Sequence, residues 1–280
     1  MKRNTLFLSL CMLAAGWLMQ ACSSEDTPTV PEEPKEIEPW FNPTDSLIAL
    51  EVWKQAGGPG WKVKWDPQDI MTWLGTGWYV DEETKECRLW HLYINFPPDE
   101  SVVGTLSPKL GELTELRILG IYGSRITGPL PSEIGNLKNL EQLDVQMVGI
   151  TGEIPGEIFT LPKLQLLNIS VCPGITGELP VEITQMSPDI QKCDLMQNSL
   201  YGKVPSGIKC PYVNLKFNQY TEYPFEYCAE DKPFIDLSYN YVTGIIPDSI
   251  LQNSDALSKL EFMTFNQRDD CHFTNEPQDW

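Results

Sequence analysis

The sequence predicts an α/β solenoid: a stack of similar coils, each giving one strand to a parallel sheet. Three observations predict it. The stretches ITGPLPSEIGNLKNLEQLDV (126–145) and ITGEIPGEIFTLPKLQLLNI (150–169) are near copies of each other. Leu116, Leu140 and Leu164 recur every 24 residues, with Ile190 another 26 on, and Gly104, Gly128, Gly152, Gly177 and Gly202 keep similar time. Within a unit, Leu143, Asp144 and Val145 alternate with the period of a strand. A fixed period in the twenties means one supersecondary unit per repeat, stacked so that neighbours bury each other's apolar faces.

Each part of the unit then has a role. Leu143 and Val145 point inward, so Asp144 and Gln146 point out. Ile150, Gly152, Ile154 and Pro155 carry the chain round a bend, and Ile158 and Leu161 return it over the core. The wording TGxIP at 151–155 is echoed at 127–131, 176–180, 201–205 and 243–247. With this spacing, the sequence from Asp45 to Phe265 resembles the leucine-rich repeat, and the TGxIP wording resembles its plant-type subfamily. That resemblance implies an Asn where each strand turns away, bonding backbone groups of neighbouring coils. Asn198, Asn218 and Asn240 fit the slot, whereas Ser124, Val148 and Cys172 occupy it earlier. The first half must satisfy those backbone groups in another way, such as through water. The unit at 210–228 keeps Val213, Leu215 and Phe217 but lacks a full returning segment. Taking Leu89–Ile94 and Leu257–Phe262 as terminal strands gives about eight coils, a sheet roughly 34 Å across at ~4.8 Å per strand.

An open solenoid end exposes a slice of core. Trp40, Trp53, Trp61, Trp65, Trp73, Trp78 and Trp90 supply apolar bulk at the N-terminal end. Leu47, Leu50, Val52 and Trp53 have helical spacing, with Thr44 or Asp45 as its cap. The segment resembles the plant-type N-terminal cap. That cap often carries a disulfide, but only Cys87 is present here, so the Trp cluster stands in for it.

Upstream, Lys2 and Arg3 precede a short apolar run ending LMQAC at Cys22. The run is too short to span a bilayer and reads as a secretory signal. Its ending resembles a bacterial lipoprotein signal, which implies lipidation of Cys22, and Glu25 and Asp26 resemble a surface-export signal. The expected location is the outer membrane, lipid-anchored and facing out. The segment from Ser23 to about Pro43 is rich in Pro and Glu and should be a solvated tether. The expected organisation is signal 1–21, tether 22–43, cap 44–87, repeats 88–266 and tail 267–280. Losing residues 1–21 leaves 18 basic against 39 acidic residues, a formal charge of −21. Such a chain is repelled by nucleic acid and anionic headgroups, so its contact with membrane is through the anchor alone.

Cys210 and Cys228 bracket the irregular unit, where a disulfide could replace its return. No CxxC occurs and only His91 and His272 could add nitrogen ligands, so neither metal nor cofactor is expected. Two distant histidines give no nucleophile–base pair, and each glycine is explained by the repeat turn, so catalysis is not expected.

Recognition remains. The outward positions of successive strands carry Tyr93, Gly120, Asp144, Asn168, Asp194, Asn214, Asp236 and Glu261, flanked by Tyr122, Gln146, Ser170, Met196, Lys216 and Ser238. Phe96, Met147, Phe217 and Tyr239 lie at the edge. Carboxylates and amides beside aromatic rings suit a cationic or polar peptide or protein partner, or a glycan stacked on Trp and Tyr faces. The carboxylates of Asp144, Asp194, Asp236 and Glu261 are expected to form one acidic row.

Overall fold

The computed structural model describes residues 40–60, 65–95, 103–123, 125–268, 271–275 and 277. Cys22, the signal, nearly all of the tether, Trp61, Phe96 and Ser124 lie outside the described residues, as does the side chain of Trp40.

Eight strands run side by side in parallel: Trp40–Phe41, Glu86–Ile94, Ile118–Tyr122, Gln142–Gln146, Leu166–Ser170, Lys192–Asp194, Tyr212–Asn214 and Phe234–Asp236. Thr76–Val80 adds an antiparallel partner to Glu86–Ile94. The inward set Leu119, Leu143, Leu167, Cys193, Val213 and Ile235 forms one register row, and each of these residues is fully buried. After each bend Gly128, Gly152, Gly177 and Gly202 hold φ of 80°, 89°, 96° and 85°. That left-handed backbone is why the T-G wording repeats. Short 3₁₀ turns such as Ser132–Asn136, Gly156–Thr160 and Val181–Gln185 then close the coils.

Both ends differ from expectation. At the N-terminal end, helix α1 (Pro43–Gln55) is capped by Asn42, whose Oδ1 accepts from the amides of Thr44 and Asp45 at 3.0 Å. Asp45 is not the cap. It is buried and accepts from Arg88 Nε at 2.7 Å and from the Leu89 amide at 3.1 Å, tying α1 to the sheet. Trp53, Trp65 and Trp73 are buried in a continuous stack with centroids 5.7 and 4.9 Å apart. The stack covers the end of the core, and Cys87 is a buried free thiol.

At the other end, Leu257–Phe262 is not a strand. It lies within helix α3 (Ser254–Met263), which follows the single turn α2 (Asp248–Leu251). The backbone that docks on the sheet is the end of that helix and the residues just after it: Leu237 N–H donates to Met263 O and Tyr239 N–H to Phe265 O. The Met263 carbonyl, not that of Glu261, therefore takes the next place in the register, with the Met263 side chain buried in the core, and Glu261 sits exposed on the helix.

The Asn slot is filled as expected in the second half. Asn240 donates to Leu215 O and Leu237 O at 2.9 Å and accepts from the Tyr220 amide at 3.1 Å. Asn198 and Asn218 repeat this pattern. Gln267 extends it, donating to Leu237 O and Thr264 O while accepting from the Val242 amide. Earlier, Cys172 serves in place of Asn, its thiol donating to Ser170 O at 3.2 Å.

The expected Cys210–Cys228 disulfide is absent; both are buried free thiols. The irregular unit has a return after all, the turn Phe225–Cys228, filled by aromatic rather than aliphatic groups. Tyr220 and Tyr227 are buried there, and Tyr227 Oη donates to Pro205 O at 2.7 Å while accepting from the Ile208 amide at 2.9 Å. Burial pushes both thiols up to about 11, which starves them of the thiolate needed for exchange.

Candidate functional site on the concave sheet

The outward columns divide into two chemically different halves. In the C-terminal half the strands are three residues long and stop on Asp194, Asn214 and Asp236. Each of these side chains accepts the amide two residues on: Met196 at 3.3 Å, Lys216 at 3.1 Å and Ser238 at 3.1 Å. The carboxylate or amide thus takes over an N–H where the strand ends. Asp194 and Asp236 are 7% and 1% exposed and are paired with Lys192 at 2.9 Å and Lys216 at 3.0 Å. The free acidic row expected from the sequence does not exist here, because lysines beside the two buried carboxylates neutralise them.

Aromatic rings border this half, but they spend their faces on one another. Tyr212 stacks on Phe234 at 5.6 Å and 12°, with Phe262 edge-on to Phe234. Phe217 stacks on Tyr239 at 4.3 Å and 8°, and Arg268 lies 5.5 Å from the Phe217 centroid. Tyr239, at φ 58°, occupies the edge column shared by Met147, Val171, Gln197 and Phe217. Met196 is half-buried between the two aromatic borders.

In the N-terminal half the strands run five residues, and pairing continues past the outward residue: Gln146 pairs with Tyr122 and Ser170. Asp144 is therefore not tied to the end of its strand. It is half-buried and accepts from Tyr122 Oη at 3.0 Å and Gln146 Nε2 at 2.7 Å. Gly120 lies between Tyr93 and Asp144 in the register row. A Cβ on Gly120 would come within 2.4 Å of the Tyr93 ring and 2.6 Å of the Tyr122 ring, so the missing side chain is what lets both rings settle there. The two rings meet edge to face at 5.6 Å, and His91 packs on Tyr93 at 4.0 Å. Burial, then the Asp144 bond, raises the Tyr122 hydroxyl's pKa, keeping it a donor. Burial lowers that of His91, whose Nε2 has no hydrogen-bond partner. Asn168, next in the row after Asp144, holds its Oδ1 buried and equally unpartnered.

Of the expected ligand-facing residues, the structure gathers Tyr93, Tyr122, Asp144, Gln146 and Asn168 into one patch. It commits Asp194, Asn214, Lys216 and Asp236 to internal bonds and removes Glu261 from the sheet. His91, Lys192, Tyr212 and Phe234 also belong to this face, two residues before the expected column. Their signal was the same alternation, read one step earlier.

The structure resembles solved proteins over much of its length. The leucine-rich-repeat ectodomain of the receptor kinase SOBIR1 from Arabidopsis thaliana matches at 21% identity and TM-score 0.52, covering 65% of this chain and 96% of that one. The fold is a leucine-rich-repeat solenoid. The structure of PEPR1–AtPEP1 matches at 22% identity and TM-score 0.59, with 80% of this chain and 31% of that one covered. A plant ice-binding protein matches at 20% identity and TM-score 0.53, with 82% and 87% covered. No family model matches the leucine-rich-repeat sequence, and no curated protein matches it significantly.

Proposed function

We propose that this leucine-rich-repeat protein is a non-catalytic recognition module that takes a protein or peptide on the N-terminal half of its concave sheet. One observation carries the reading: Gly120 opens a floor on which Tyr93 and Tyr122 sit beside an accessible Asp144. Gly is a poor strand residue. It is placed where it clears the concave surface and where aromatic area and polar acceptors converge, the combination that anchors interfaces. The fold alone leaves the ligand open, since the PEPR1–AtPEP1 structure and a plant ice-binding protein share it. Trp53, Trp65 and Trp73 offer no glycan platform, because they are buried against one another. The test is a screen of the full chain against immobilised proteins and polysaccharides, followed by hydrogen exchange with whatever binds. Protection over 118–146 is expected; protection confined to 212–238 would overturn the assignment.

We propose further that lipid on Cys22 anchors the module at the outer-membrane surface, a reading motivated by the LMQAC ending and the acidic tether. Labelled palmitate should enter the wild type and not Cys22→Ala. Label retained by the variant would rule out that site.

A further inference from the structure

The three concave aspartates occupy equivalent places in the register, so their surroundings can be compared residue for residue. Asp236 receives a cation from Lys216, which stands one coil earlier and two residues beyond the row. The residue in that same relation to Asp144 is Tyr122, which supplies a hydroxyl and no charge. Asp194 receives its cation from Lys192, two residues before it in the same strand. The residue in that relation to Asp144 is Gln142. Both positions that furnish a lysine elsewhere are thus uncharged around Asp144. Among the described residues no ion pair to Asp144 is formed, and Lys192, whose charge still reaches Asp144, is bonded to Asp194 at 2.9 Å.

We propose that the missing cation is supplied by the ligand: Asp144 receives a guanidinium group of the bound peptide. This deepens the concave-face reading and rests on it. A carboxylate has about four lone-pair sites, and Tyr122 and Gln146 use two. The remaining two suit the paired N–H groups of an arginine fork. Tyr93 and Tyr122 give π surface for a flat cation, which a guanidinium uses better than an ammonium. Asn168, the next residue in the row, carries an acceptor with no partner in the free protein, and turning its amide would offer that oxygen to a further guanidinium N–H. The strongly acidic chain, −19 overall, would speed the approach of such a ligand without choosing where it lands.

The probe is the capped tripeptide acetyl-Gly-Arg-Gly-amide, with its citrulline and lysine counterparts, titrated into the full chain while tyrosine-ring and amide NMR shifts are followed. The arginine peptide should perturb Tyr93, Tyr122 and Gln146, the lysine peptide should do so more weakly, and the citrulline peptide should not. Asp144→Asn should weaken arginine binding by about tenfold, the scale of one charge-assisted pair. Glu230→Gln, which removes the same charge from an exposed loop, should leave it unchanged. Equal binding of arginine and citrulline at the patch would overturn the cation assignment while leaving concave recognition standing. Arginine binding that Asp144→Asn and Glu230→Gln weaken equally, or that maps elsewhere, would overturn the assignment to Asp144. Absence of arginine binding would overturn it as well, and the concave reading would then be judged by the exchange experiment above.

Discussion

The two halves of one concave sheet solve the same backbone problem in different ways, and the difference decides which half is free to bind. In the C-terminal half, strands end early, so Asp194, Asn214 and Asp236 turn back to catch their own amides. Asn198, Asn218 and Asn240 tie coil to coil. Nearly every polar group there is committed. In the N-terminal half, longer strands satisfy the backbone by pairing, and Val148 and Cys172 replace the Asn rungs. Side chains released from structural duty are available for recognition. A repeat protein need not spread its function evenly over its repeats.

The sharpest way to break the comparison is to attack the rungs. Asn240→Ala leaves the Tyr220 amide buried without its acceptor and takes one of two side-chain donors from each of Leu215 O and Leu237 O, which keep Asn218 and Gln267, and should cost about 2 kcal/mol in urea unfolding. Cys172→Ala, in the corresponding slot of the other half, should cost about 1 kcal/mol, since a thiol is a weak donor. Equal losses would mean that the two halves are held in the same way.

Next in size is Gly120→Ala. The added Cβ overlaps both tyrosine rings, and these are side chains that can swing aside rather than fixed backbone. A loss of about 1 kcal/mol, with the near-UV circular dichroism of the tyrosines altered, is expected. An unchanged aromatic spectrum would mean that the rings do not need the glycine. Tyr122→Phe should cost less, about 0.5 kcal/mol, because Asp144 is open enough for water to replace the hydroxyl.

The smallest effect is with pH. His91 binds a proton less readily folded than unfolded. Its neutral form therefore contributes stability that is complete above the unfolded pKa of about 6.5 and is lost as pH falls from there through the lower folded value. Replacing His91 with Gln should flatten that part of the stability curve; a slope that persists unchanged below pH 6.5 would assign it to other groups.

What the sequence made legible follows physical repetition. The 24-residue period, the T-G turns and the Asn slots at 198, 218 and 240 all repeat, and the structure places them as expected. What it hid are local exceptions. Alternation says that Asp194 and Asp236 face outward but not that Lys192 and Lys216 will cover them. The leucine pattern at 257–262 has the spacing of a strand unit, yet Asn253 caps a helix there through the amides of Asp255 and Ala256. That helix delays the last docking segment by two residues and lets Gln267 act as an Asn. The Cys210–Cys228 expectation failed because Tyr220 and Tyr227 fill the return that aliphatic residues do not. Asn42, rather than Asp45, caps α1 because Asp45 is drawn to Arg88.

The division between a structural half and a recognition half is tested most directly by unfolding Asp144→Ala and Asp236→Ala side by side in urea. Asp236→Ala strands the Lys216 charge and the Ser238 amide and leaves the Ser238 hydroxyl only its longer bond to Phe262 O, and should cost about 3 kcal/mol. Asp144→Ala leaves only Tyr122 and Gln146 short of an acceptor at a half-exposed site, and should cost under about 1 kcal/mol. Equal costs, or a larger one at Asp144, would contradict the account.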